Sequence, residues 1–339
     1  MPADRSEALP AARRPHRRTG GRPGLLTPGA STDPHRLRLY RALRTDHPLG
    51  YDPGLAAWVL SRYTDVAAAL TDPRFTGYPH DASPRGRGPA PLGVCRGTAG
   101  CAPPSDGGGT PDPGTAAAVE RAAYVLARRI AGRDGADLVA EFCRWLPAGA
   151  AAVAVRRSHP APGALSRHRR PAEAAGECAG HTALREKALA SFLANMLDDP
   201  DLLAAARDGA RELLVRAWAE TLRRDPPVQI VLRRTRTEVS LSGGTLPAGA
   251  PVACLIGAAG RDPARFAAPD RFDPLRADAD PLLTGPVGCP AAVLGRLEAA
   301  YGLRALLTAM PDIRWADGFR PVAGGLLTRG PRALLVRAR

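Results

Sequence analysis

The sequence predicts a mainly helical fold with a minor β-sheet region, and its length allows one large domain or two. Three observations lead there. Apolar residues recur at helical spacing through most of the patterned chain, and short β-like runs cut by glycine and proline are concentrated after residue 226. Segments with neither pattern gather in two places, 79–114 and 156–176. With 45% hydrophobic and 24% charged residues, the composition suits a real core and excludes wholesale disorder. The 36 glycines and 35 prolines follow no G-x-y period, so they point to long irregular connections around that core.

Residues 1–30 carry no periodic pattern and are expected to be a disordered basic leader. Asp33-Pro34 signals a helix start, and Leu37, Tyr40 and Leu43 share one face of a helix over 35–44. After the turn Asp52-Pro53-Gly54, the run up to Leu60 reads as a short strand. Thr64-Asp65 then caps a short helix that ends at Asp72-Pro73. Seventeen of the 36 residues over 79–114 are glycine or proline, which predicts a linker without packed elements. Val119, Ala122, Leu126 and Ile130 place a helix over about 115–131, and a second helical segment, 137–145, is expected to stop at Pro147. Beyond the Arg/Pro/Gly/Ala-rich connection 156–176, helical pattern resumes over 178–197, 201–207 and 211–224. From Pro226 the runs 228–231, 237–241 and 252–256 read as strands, separated by Gly243-Gly244 and Pro247-Ala248-Gly249. An irregular stretch extends from Asp262-Pro263 to Pro290, and a helix over 291–310 follows. A hairpin of 325–328 and 333–337 is expected to close the chain around Arg329-Gly330-Pro331.

The net charge is +14, and Lys187 is the one lysine among 47 basic residues. Arginine used almost exclusively in an Ala/Gly/Pro-rich chain reads as compositional bias before it reads as selection for an anionic partner. The excess concentrates in 1–22 and 156–170. Neither stretch interleaves aromatic residues with its arginines, so no nucleic-acid partner is expected. No apolar segment of signal-peptide type follows the first arginines. The longest uncharged run, 239–260, is broken by Pro247, Pro251 and five glycines, so no membrane span is expected. A cytoplasmic location with six reduced cysteines is the expectation. Cys95 and Cys101 lack the second ligand pair of a zinc site.

Three runs carry the functional signal: 34–75, 220–273 and 285–300. An acid-x-x-Arg pattern such as Glu220/Arg223 is by itself the commonest helix-surface pair. It gains meaning from Asp225-Pro226-Pro227-Val228 directly after it and from Pro269-Asp270-Arg271-Phe272 further on. With GPVGCPAAVLGRLEAA at 285–300, these runs resemble the bacterial cytochrome P450 family, in its K-helix and meander, its haem-thiolate loop and its N-terminal helix and sheet. The resemblance covers 31–76 and 176–337 well and 115–147 loosely. It implies the P450-like fold as one domain over 31–339, interrupted by linkers 79–114 and 156–176. The family's lid helices have little room here, since only 31 residues separate Pro147 from Ala179.

The resemblance also implies roles for individual residues. Cys289 matches the thiolate ligand of haem iron, in a loop that includes Gly285, and Arg233 matches an arginine that reaches a propionate of haem b. Glu220, Arg223 and Arg271 match a buried charge triad that supports the scaffold without performing chemistry. Ala179, Gly180 and Thr182 fall in the oxygen-binding bend. On one register Thr182 takes the family's acid position and Ala183 its threonine position; shifted by one residue, Thr182 is the alcohol. Leu282-Leu283 replace the family's Phe-Gly, Val287 replaces its His or Arg, and no counterpart of the helix-C motif lies between Phe75 and Ala116. The implied activity is that of a haem-thiolate monooxygenase. It inserts one oxygen atom from O2 into a small apolar substrate, with electrons from NAD(P)H delivered by a reductase and a ferredoxin-type partner. The departures keep two other readings open: a non-catalytic helper that activates a partner enzyme such as a glycosyltransferase, or a decayed P450.

Overall fold

The computed structural model describes residues 25, 35–77, 113–158, 171–209, 211–278, 281–282 and 290–338. Along the chain these form α1 (His35–Asp46), β1 (Leu49–Asp52), β2 (Ala57–Leu60), α2 (Tyr63–Thr71), β3 (Phe75–Gly77), α3 (Pro113–Ala131) and β4 (Ala136–Asp137). A π-helical turn at Val139–Cys143 leads into α4 (Trp145–Ser158), followed by α5 (Pro171–Leu197), α6 (Pro200–Arg207) and α7 (Arg211–Arg224). Then come β5 (Ile230–Thr235), β6 (Val239–Leu241), β7 (Gly244–Leu246), β8 (Pro251–Leu255) and the short α8 (Ile256–Ala259). The chain closes with α9 (Pro290–Ala309), β9 (Arg314–Trp315), β10 (Ala323–Gly324), β11 (Gly330–Pro331) and β12 (Leu335–Arg337).

The larger core lies between helices. Val119, Ala123, Ala127 and Ile130 give α3 one buried stripe, and α5 answers with Leu189, Phe192, Leu193 and Met196. Leu294, Leu303, Leu306 and Leu307 of α9 fill the space between them. Small residues set the distances: a side chain at Gly302 of α9 would come within 3.2 Å of Phe142 in the π-helical turn. That turn is held by Asp137, whose Oδ1 accepts from the amides of Val139 and Leu334, each at 2.9 Å. The mainly helical expectation with a minor sheet therefore holds.

The smaller layer is a five-stranded sheet in the order β1-β2-β8-β5-β3. β2 runs parallel to β8, and the other neighbours are antiparallel. Strand alternation divides β5 and β8 between two faces. Val231, Val252 and Cys254 join one apolar cluster, with Leu184 of α5 packed against it, while Ile230, Ala253 and Leu255 face Leu39, Tyr40 and Leu43 of α1.

Several expectations need correction. The helical segment expected to stop at Pro147 is a strand, a π-helical turn and a helix that runs on to Ser158. Pro147 falls in the first turn of α4, where an N–H has no intrahelical acceptor to lose. Helices α4 and α5 enter the 156–176 connection from both sides. The closing hairpin is re-partnered: β10 pairs with β11, whereas β12 lies between β4 and β9. Leu25, within the expected leader, is buried, and its amide donates to Asp52 Oδ2 at 2.8 Å. Most of 1–30 and 79–114 lies outside the described residues.

Phe142→Ala should cost about 3–5 kcal/mol, the usual loss for a fully buried aromatic side chain. Val125→Ala, on the solvent side of α3, should stay within about 0.5 kcal/mol. Urea unfolding of the two variants checks this, and equal losses would contradict the placement of the helical core.

Candidate functional site

Helix α7 ends in a buried charge knot. Glu220 and Arg223 are one turn apart on its inner face, and both side chains are wholly excluded from solvent. Arg223 Nε and Nη2 donate to the two carboxylate oxygens of Glu220 at 2.7 and 2.8 Å. The remaining nitrogen, Nη1, donates to the carbonyls of Gly260 and Pro269 at 2.6 and 2.9 Å. Gly260 has to be glycine, because a Cβ there would sit 2.2 Å from the Arg223 carbonyl oxygen. Glu220 Oε1 also accepts from the amide of Asp273 at 3.0 Å and from Arg276 Nε at 3.1 Å.

The second guanidinium on Glu220 is thus Arg276, where the sequence pointed to Arg271. Arg271 is exposed and contributes its backbone carbonyl, which accepts from Arg223 Nη2 at 3.4 Å. The reason is local. The chain turns at Ala268, which adopts φ +43°, and the Arg271 amide closes that turn on the Ala268 carbonyl at 3.0 Å. Five residues later the chain comes back over Glu220 through the Asp273 amide, and this presents Arg276 to the carboxylate.

A second network adjoins the knot. Asp225, just beyond α7, accepts from Arg224 Nε at 2.7 Å and Arg261 Nη2 at 2.8 Å, and Arg261 Nη1 donates to Asp270 at 2.7 Å. Burial pushes the Asp225 carboxyl up, but the guanidiniums of Arg224 and Arg261 overcome it and hold it well below the usual carboxylate range. Together the two networks bind 260–276 to the end of α7.

Arg233 is half-buried on β5, on the face shared by Val231, Val252 and Cys254. Leu184 of α5 and Leu282 pack against the same cluster. Among the described residues no hydrogen bond or ion pair engages the Arg233 guanidinium. A guanidinium with no partner among the described residues, on the face where Leu184 and Leu282 pack, suits a carboxylate-bearing ligand, so the donor chemistry fits a haem propionate.

The part of α5 matched to the family's oxygen-binding bend is continuous helix. Ala179 and Gly180 lie within the helix, and Thr182 is half-buried, with Ala183 exposed beside it. Arg185 Nη2 donates to Thr182 Oγ1 at 3.5 Å and to the Pro147 carbonyl at 3.1 Å, while Nη1 donates to the Glu298 carboxylate of α9. Burial pushes the Glu298 carboxyl up from its ordinary 4.5 to about 7, although Arg185 pulls the other way. The sequence reading missed this pair. Its signal was periodicity: Arg185 and Glu298 both sit on the apolar stripes of their helices, in line with Leu189 and with Leu294 and Gly302.

Cys289 and Gly285 lie outside the described residues. Two described thiols, Cys143 and Cys254, are buried, and burial raises both, Cys254 to about 12, which makes them poor thiolates. No cluster of metal-ligating side chains occurs among the described residues, and no described helix is long and apolar enough to cross a membrane.

Comparison with known proteins connects these features. Residues 209–279, which contain the whole charge knot, match the family model Cytochrome P450. Protein DesVIII of Streptomyces venezuelae is 45% identical over 131 residues, 37% of this chain and 30% of that protein. Pulcherriminic acid synthase of Bacillus subtilis is 34% identical over 167 residues, 44% of this chain and 40% of its own length. The matched region thus spans well under half of these relatives. Among solved structures, CYP154A1 from Streptomyces coelicolor superposes with a TM-score of 0.69 at 21% identity, covering 91% of this chain and 99% of that one. P450BioI, in complex with an acyl carrier protein ligated to hexadec-9Z-enoic acid, gives 0.68 at 21% identity, covering 88% and 97%.

Two predictions follow from the geometry. Arg276→Ala strips a cation from a fully buried carboxylate and should cost about 3–5 kcal/mol, whereas Arg271→Ala should change stability by no more than about 0.5 kcal/mol. Chemical denaturation of both variants tests this ordering, and the reverse ordering would restore Arg271 to the knot. The second concerns pH. Glu298 holds its proton more tightly folded than unfolded, so its contribution is complete below about pH 4.5 and is lost as pH rises through about 7. Glu298→Gln should therefore flatten the fall in stability between pH 5 and 8. An unchanged slope would show that Glu298 does not titrate in this window.

Proposed function

We propose that this chain, similar over part of its length to bacterial cytochromes P450, is a haem-thiolate monooxygenase acting on a small apolar substrate. The observation that carries this reading is Arg233, a guanidinium without a partner among the described residues on the sheet face that meets Leu184 and Leu282. Cys289, in the stretch between Leu282 and α9, would supply the thiolate, with Gly285 in the same loop. Arg233 would pair with a propionate.

When bound, haem supplies the activation of dioxygen, with one oxygen atom going to the substrate and the other leaving as water. That stoichiometry takes two electrons and two protons, and we assign the electrons to NAD(P)H through a reductase and a ferredoxin-type protein. The chain's own residues do the rest. Thr182 offers a hydroxyl on α5, with Ala179 and Gly180 in the turn before it. Leu184 and Leu282 keep an apolar surface beside Arg233, which favours an apolar substrate and excludes water. We further propose that 31–339 is one P450-like domain and that it acts in the cytoplasm.

A specific observation favours a second reading, a non-catalytic helper of a partner enzyme. Residue 183 is alanine, and the neighbouring Thr182 hydroxyl accepts from the Arg185 guanidinium. One experiment separates the two. Purified protein, supplied with excess haem, reduced and exposed to carbon monoxide, should show a thiolate-type red-shifted band that is absent from Cys289→Ala. Arg233→Ala should retain the band with haem affinity lowered about tenfold, the loss of a charged hydrogen bond. Identical spectra for wild type and Cys289→Ala, or no haem uptake by either, would leave the helper reading in place.

A further inference from the structure

Arg185 stands out on α5. It occupies the same stripe as Ala188, Leu189, Phe192 and Met196, and it is only 6% exposed. A guanidinium in such a place loses its hydration and has to be matched by partners. It finds them on three elements: Glu298 of α9, the carbonyl of Pro147 in the first turn of α4, and the hydroxyl of Thr182 one turn earlier on α5. The match is incomplete, because Arg185 Nε and Glu298 Oε2 are both buried without a partner among the described residues. Gly295 of α9 lets the Trp218 ring pack close beside the pair, since a Cβ there would lie 3.0 Å from that ring.

Packing alone does not account for such a pair. Two apolar side chains of similar volume hold neighbouring helices at least as well as a buried, partly satisfied ion pair. What an apolar residue cannot do is hold a hydroxyl and a carboxylate in one geometry, which the planar fork of arginine does. We infer that Arg185 is a positioning residue: it couples the Thr182 hydroxyl of α5 to Glu298 on α9, the helix that starts directly after Cys289. Its significance for oxygen chemistry rests on the reading proposed above; the coupling itself does not. Among the described residues Arg185 is the charge that acts on Glu298, and Trp218 of α7 and Pro147 of α4, which border the pair, carry none.

No hydrogen bond joins Thr182 to Glu298, and both are bonded to Arg185, so polar coupling between them has to pass through that third group. The test is a mutant cycle on the full chain, without added haem. Unfolding equilibrium constants are measured for Thr182→Val, Glu298→Gln and the double variant, with Arg185 and with Arg185→Met, at pH 6 and pH 8. With Arg185 at pH 8, the double variant should depart from the product of the single effects by more than about twofold. The departure should vanish with Arg185→Met and shrink at pH 6, where Glu298 takes up a proton. Arg185→Lys keeps the charge but not the fork, and coupling should fall below twofold there as well. This variant also keeps the test decisive if Arg185→Met fails to fold. Additivity throughout overturns the inference, as does coupling that persists at full strength in Arg185→Met or Arg185→Lys. Because the cycle needs no haem, a failure of Cys289 to bind haem leaves its outcome readable.

Discussion

Glu220 has no water around it, and its two oxygens are shared among Arg223, Arg276 and the amide of Asp273. The rest of the site depends on that arrangement. Arg223 passes the constraint on to the carbonyls of Gly260 and Pro269, so one carboxylate fixes the end of α7 and the irregular stretch after α8 together. That stretch has almost no regular secondary structure to hold it. In place of a hydrogen-bond ladder, it is fixed by side chains that cannot leave their partners without exposing a bare charge to a dry interior.

The sheet and the helices meet around this knot. β5 begins six residues after α7 ends, and the fixed exit of α7 sets where Val231 and Arg233 face. From the other side α5 brings Leu184 to the same apolar cluster, and Arg185, one residue on, turns towards α9. Neighbouring residues of one helix thus serve two surfaces: the sheet face with the free guanidinium of Arg233, and the interface with the helix that follows Cys289.

Much of the fold was legible in the sequence because the helices are amphipathic. The helices over Pro113–Ala131 and Arg211–Arg224 appear where periodicity places them, although α3 buries Ala123 and Ala127 most deeply, with the expected Ala122 and Leu126 only partly buried beside them. Reading failed where local chemistry gave way to position. Pro147 looked like a helix end, but a proline in a first turn breaks nothing. Arg271 and Arg276 both follow Phe266 in the same turn-rich stretch, and only the reversal at Ala268 decides which one reaches Glu220. The knot itself was recognisable from Glu220, Arg223 and the proline-rich motifs around them. The Arg185–Glu298 pair was visible in principle as two charges on apolar stripes, an exception that pattern reading passes over. Arg233 could be named only by resemblance, since Arg233, Arg234 and Arg236 look alike until the strand assigns them to faces.

The account rests on the claim that Glu220 is what docks 257–276 onto α7. Native-state hydrogen exchange of wild type and Glu220→Gln tests it most directly. We expect the variant to lose protection at the amides of Gly260, Arg271 and Asp273, while α3, α5 and α9 keep theirs. Unchanged exchange at those three amides, or an equal loss of protection across all the helices, would contradict it.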